Sequence, residues 1–156
     1  MNRRSTIGDL YNTYFQALIE AMTEQYHWDV TNRTLQDENY YPFLSGFSHI
    51  EYLAVFRGRG ERRKVCTELR IAKETDVFDA LRRRKSEINA KFDAPLCWDP
   101  SPRMRTNLIR LQRNGDITVD TVDANELADI KAWHIKTLRE FKKVFTPEIR
   151  RALEEQ

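Results

Sequence analysis

The chain has 156 residues, a net charge of +2, and 32% charged against 40% hydrophobic residues. That balance predicts one soluble globular domain over residues 1–156, with a core that needs no disulfide or metal. No apolar run approaches the ~18 residues that span a bilayer, and the start lacks the apolar middle of a secretory signal. The expectation is therefore a cytoplasmic protein without a membrane partner. Cys66 and Cys97 are expected as buried free thiols, since no cysteine or histidine pair has zinc-ligand spacing. Arginine outnumbers lysine 18 to 8, and guanidinium suits bidentate contact with phosphate or carboxylate.

Thr6 and Asp9 have capping-box spacing and open a helix over 6–26, with Ile7, Leu10, Tyr14, Leu18 and Met22 on its stripe. Residues 27–39 lack a period and read as a loop. Three antiparallel strands follow within 40–72. In the second, Ile50, Tyr52, Ala54 and Phe56 alternate with His49, Glu51, Leu53 and Val55. In the third, Val65, Thr67, Leu69 and Ile71 alternate with Cys66, Glu68 and Arg70. One face is apolar and the other mixed, which predicts helices on one side and a partly open second side.

A helix is predicted over 74–93, with a lysine, Lys85, inside its apolar ladder. Residues 94–98 predict a short strand and residues 104–113 a longer one. Asn114-Gly115 is a turn signal, with residues 117–119 a short final strand. Asp123 and Glu126 open a long helix. Pro147 should end it and start another. His134 reads as a flank residue beside Trp133. The fold class is α+β, an antiparallel twisted sheet of about five strands packed by three main helices.

Two sets of residues carry candidate chemistry. The first is the turn between the second and third strands, where Arg57, Arg59, Arg62, Arg63 and Lys64 cluster around Gly58 and Gly60. Glycines let the backbone approach a phosphate closely, and exposed arginines can neutralise it. Arg82, Arg83 and Arg84 would extend this patch if their helix starts near the turn. The second set is Glu51 and Glu68, on one face of adjacent strands, with Arg70 in an acid-x-base position. The order helix, three strands, helix, strand resembles restriction-endonuclease-like folds. There, two acids hold a divalent metal and a lysine orients water. Mg²⁺ is the one cofactor implied, and only in that nuclease reading. Arginine fits the lysine's place poorly because it stays protonated.

A family resemblance covers roughly residues 10–150. It is carried by Thr67-Glu68-Leu69-Arg70-Ile71, by Phe78, Leu81 and Ile88, and by Leu96-Cys97-Trp98. Residues 107–111 and Trp133 follow, with the ending Phe141-Lys142-Lys143-Val144-Phe145 before Pro147. These pieces resemble a prokaryotic family known only as a domain of unknown function, whose members occur alone or appended to nuclease-like domains. The resemblance implies a prokaryotic or phage setting near DNA metabolism or defence. The functional expectation is a non-catalytic protein that contacts nucleic acid or an acidic protein partner through the basic hairpin turn. A metal-dependent nuclease is the alternative, and an interaction or homo-oligomerisation module is a third reading.

Overall fold

In the computed structural model, residues 6–28, 34–58, 62–100, 106–117 and 123–155 are described. Helix α1 (Ile7–Tyr26) leads to β1 (Tyr40–Leu44), β2 (Ile50–Arg57) and β3 (Lys64–Ala72). Helices α2 (Thr75–Arg83) and α3 (Lys85–Asn89) precede β4 (Cys97–Asp99) and β5 (Thr106–Asn114), and α4 (Ala124–Glu154) closes the chain. The five strands form one antiparallel sheet in the order β1-β2-β3-β5-β4.

Local chemistry sets the ends of the elements. The Thr6 hydroxyl accepts from the Asp9 N–H while the Asp9 carboxylate accepts from the Thr6 N–H, completing the capping box of α1. Asp123 accepts from the N–H groups of Asn125 and Glu126 and so starts α4. At the β2–β3 turn Gly58 has φ +84, and a Cβ there would collide with the Arg62 carbonyl. Only glycine fits that position without opening the turn.

Strand register sorts the sheet into two faces. Phe43, Tyr52, Leu69, Ile109 and Trp98 lie side by side across all five strands. With Tyr41, Phe56, Val65, Ile71 and Leu111 they form the face that α1, α2 and α4 cover. The core between helices and sheet is dominated by aromatic pairs such as Tyr14–Phe56, Trp28–Tyr52 and Phe92–Phe141.

The helices depart from expectation at two places. The single helix expected over 74–93 is broken at Arg84 (φ −104, ψ 20). An unbroken 3.6-residue period would place Lys85 in the buried line between Leu81 and Ile88. The break leaves Lys85 exposed and turns Arg84 inward, to Glu148 Oε2 at 2.6 Å and the Glu148 carbonyl at 3.2 Å. Pro147 does not end α4, which continues to Glu154. Phe145, Ile149 and Ala152 stay buried on one stripe across it, and this packing outweighs the lost N–H and ring crowding of an interior proline. Residues 118–119 of the suggested sixth strand lie outside the described residues, and Ile117 is buried without strand pairing.

Candidate functional site

The second face of the sheet has no helix packed on it among the described residues. Its side chains form three rows, read across the strands. One row is Tyr40, Val55, Cys66 and Gln112; the next is Leu53, Glu68, Arg110 and Cys97; the third is Glu51, Arg70, Leu108 and Asp99. Tyr40, Val55, Leu53, Glu68, Glu51, Arg70, Leu108 and Asp99 of these rows line a cleft of about 680 Å³ with Asn39, His49, Arg57, Ala72 and Thr106, while Arg110 lies beside it. Its floor is apolar: Leu53, Val55 and Cys66 are buried together and Tyr40 packs against them.

The two candidate sets meet on this face. Arg57 lies beside Lys64, two rows from Glu68, so its side chain must run back over the Val55–Cys66 row. There Nε and Nη2 donate to the two carboxylate oxygens of Glu68, the second at 2.7 Å. Glu68 is 0% exposed whereas Arg57 is 41% exposed. Arg110 approaches the same carboxylate from the other side, its Nε 3.4 Å from Glu68 Oε2, while its Nη2 donates to Asp99 at 3.0 Å. That Nε is buried without a hydrogen bond of its own. Arg70 donates to Glu51 and lies 5.8 Å from the Tyr40 ring centroid. Three arginines thus face three carboxylates, and burial of Glu68 is tolerable because two cations flank it. The hydrogen bond to Glu68 raises the pKa of Arg57 above its usual value.

The rest of the turn is also held down in part. Arg63 pairs with Asp116 and Lys64 donates to Asn114. Arg62 is exposed and makes no ion pair among the described residues, while Arg59 lies outside them. Arg82, Arg83 and Arg84 do not extend this patch. Arg84 pairs with Glu148 and Glu155 near the end of α4. Ile130, near the start of α4, sits beside Gly115 and Val65 at the turn. The 18 residues from Ile130 to Glu148 correspond to about 27 Å of helix.

The arrangement bears on the nuclease reading. Both oxygens of Glu68 are taken by guanidinium groups, and Glu51 is held by Arg70. Among the described residues no group of three His, Cys, Asp or Glu side chains could hold a metal ion. What the cleft does offer is guanidinium groups fixed by carboxylates, with N–H donors to spare. Arg57 uses Nε and Nη2, so Nη1 has no partner among the described residues.

His134 was missed as a core residue. It is 0% exposed, with Nδ1 2.5 Å from the Tyr14 hydroxyl and Nε2 2.9 Å from the Cys66 carbonyl. A carbonyl can only accept, so Nε2 carries the proton and the Tyr14 hydroxyl donates to Nδ1. Burial lowers the His134 pKa to about 4 and holds the Tyr14 hydroxyl well above its usual value. The signal was in the sequence: His134 stands four residues from both Ile130 and Leu138. Cys97 is exposed rather than buried, whereas Cys66 is a buried free thiol pushed up to about 12, chiefly by burial. No described helix is long and apolar enough to cross a membrane.

A family model described as a domain of unknown function, DUF4268, matches residues 10–149. The chain belongs to this family. No curated protein and no solved structure matches the chain. The DUF4268 match covers all five strands and most of α1 and α4, so the open face lies within the family domain.

Proposed function

We propose that this DUF4268 protein is a non-catalytic binding protein whose open sheet face receives an acidic segment of a protein partner. The proposed setting, a DNA-related or defence-related system of a prokaryote or phage, rests on the family resemblance alone. The observation that supports the binding reading is the anchoring of Arg57, Arg70 and Arg110 by Glu68, Glu51 and Asp99 around an apolar floor. Guanidinium groups held in place lose little freedom on binding, and arginine and tyrosine are favoured at interface centres. The cleft is lined by Arg57 and Arg70 beside Glu51, Glu68 and Asp99, so it suits a segment that brings apolar side chains and a carboxylate to the two arginines better than a uniform polyanion.

Leu108 lines the cleft and is only partly buried. Leu108→Glu should abolish capture of a partner from a lysate of the source cell while leaving the circular dichroism spectrum unchanged. Equal capture by wild type and variant contradicts the reading. So does Mg²⁺- or Mn²⁺-dependent DNA cleavage by the wild-type protein, which supports the nuclease alternative. Light scattering during size exclusion separates a second copy of the chain from a foreign partner.

A further inference from the structure

A different surface gathers four exposed cations with little compensation. Lys136, Arg139, Lys142 and Lys143 are exposed along one stretch of α4. They border two adjoining grooves of about 610 and 350 Å³, which share Tyr26, Arg139 and Lys143 as walls. Two of the cations are braced on aromatic rings. The Arg139 guanidinium stands 4.0 Å from the Tyr26 ring centroid, and Lys142 Nζ stands 4.6 Å from that of Trp28. Trp28 is itself fixed, its indole N–H donating to the Leu44 carbonyl at 2.8 Å. Glu140 is the one carboxylate lining these grooves among the described residues, 3.8 Å from Lys136 Nζ. An exposed pair of that kind is weak.

We infer that this α4 stripe is a binding site for the phosphate backbone of a nucleic acid. From Lys136 to Lys143 the helix rises about 10 Å, a span that covers successive phosphates of one strand. Four cations against one carboxylate, Glu140, leave this stretch of helix net positive, which is the footprint of a polyanion site. The concave grooves match a strand better than a flat bilayer. Among the described residues the exposed large apolar side chains, Ile7, Leu44 and Leu153, do not line them, and the apolar walls Ile135, Tyr26 and Trp28 are partly or fully buried, so little apolar surface is presented to lipid. The inference is independent of the protein partner proposed for the sheet face, which lies on the opposite side of the sheet from α4.

The test is fluorescence anisotropy of the full chain with a labelled single-stranded oligonucleotide over a salt series. Four phosphate contacts predict a slope of log K against log salt near −2.8, at about −0.7 per contact on a single strand. The double variant Lys136→Gln/Lys143→Gln removes two cations that are not braced on a ring among the described residues, and should flatten the slope by about 1.4. Arg82→Gln/Arg83→Gln, with the same charge change on α2, should leave it unaltered. The inference is overturned if wild type does not bind at low salt, or if the α2 variant loses as much as the α4 variant. It is also overturned if vesicles containing phosphatidylserine bind while the oligonucleotide does not.

Discussion

His134 shows how a titratable side chain is accommodated in an aromatic core. Its neutral form is fully satisfied, donating to the Cys66 carbonyl and accepting from Tyr14. The folded pKa, about 4, lies below the ordinary value of 6.5. The unfolded chain therefore takes up a proton as pH falls through ~6.5, and the folded chain does not until about pH 4. The stability this group contributes is complete above ~6.5 and is lost progressively between ~6.5 and 4. The full loss is about 3 kcal/mol from a shift of that size. Urea unfolding should show it as a fall from pH 7.5 to 4.5 that is larger in wild type than in His134→Gln. Equal falls in the two proteins would mean that the imidazole is not buried neutral. Sequence reading missed this role because Trp133, its neighbour, also fits an apolar stripe. Trp133 is only partly buried, and α4 turns His134 inward instead.

Among the elements, those set by near neighbours were legible. The capping box of α1, the alternation of β2 and β3 and the shared face of Glu51 and Glu68 all follow from residues a few positions apart. The elements that depend on distant partners were not. The break at Arg84 depends on Glu148 and Glu155, more than sixty residues away. The continuity of α4 depends on packing either side of Pro147 and on the Thr146 hydroxyl, which lies 2.8 Å from the Tyr52 hydroxyl. Pro147 leaves the Lys143 carbonyl without its helical donor, and the ring is exposed. Pro147→Ala should restore that bond and raise stability by about 1–3 kcal/mol, given the ~3 kcal/mol penalty of interior proline. A thermal melt with an unchanged or lower midpoint would show that α4 does not run through this position.

Across the whole molecule, charge is distributed differently from its distribution along the chain. In the densest cationic run of the sequence, 57–64, Arg57 and Arg63 fold back onto Glu68 and Asp116. The sparser cations of α4, separated by three or four positions, converge on two grooves beside Tyr26 and Trp28. Counting adjacent charges therefore points to the turn, whereas helical spacing points to α4. The Glu68 pairing was not legible because it needs both the strand register and a turn that lets Arg57 lie over the sheet.

The measurement closest to the centre of this account is a double-mutant cycle between Arg57→Ala and Glu68→Gln, followed by urea unfolding. If the turn is anchored to the sheet by its buried carboxylate, the two substitutions should be non-additive, with a coupling of about 1 kcal/mol or more, within the 0.5–3 kcal/mol range for contacting residues. The partial hydration of Arg57 places the value toward the lower part of that range. Additive losses would mean that the Arg57 guanidinium stands free in solvent, and the cleft would then lack the fixed donors on which its binding role depends.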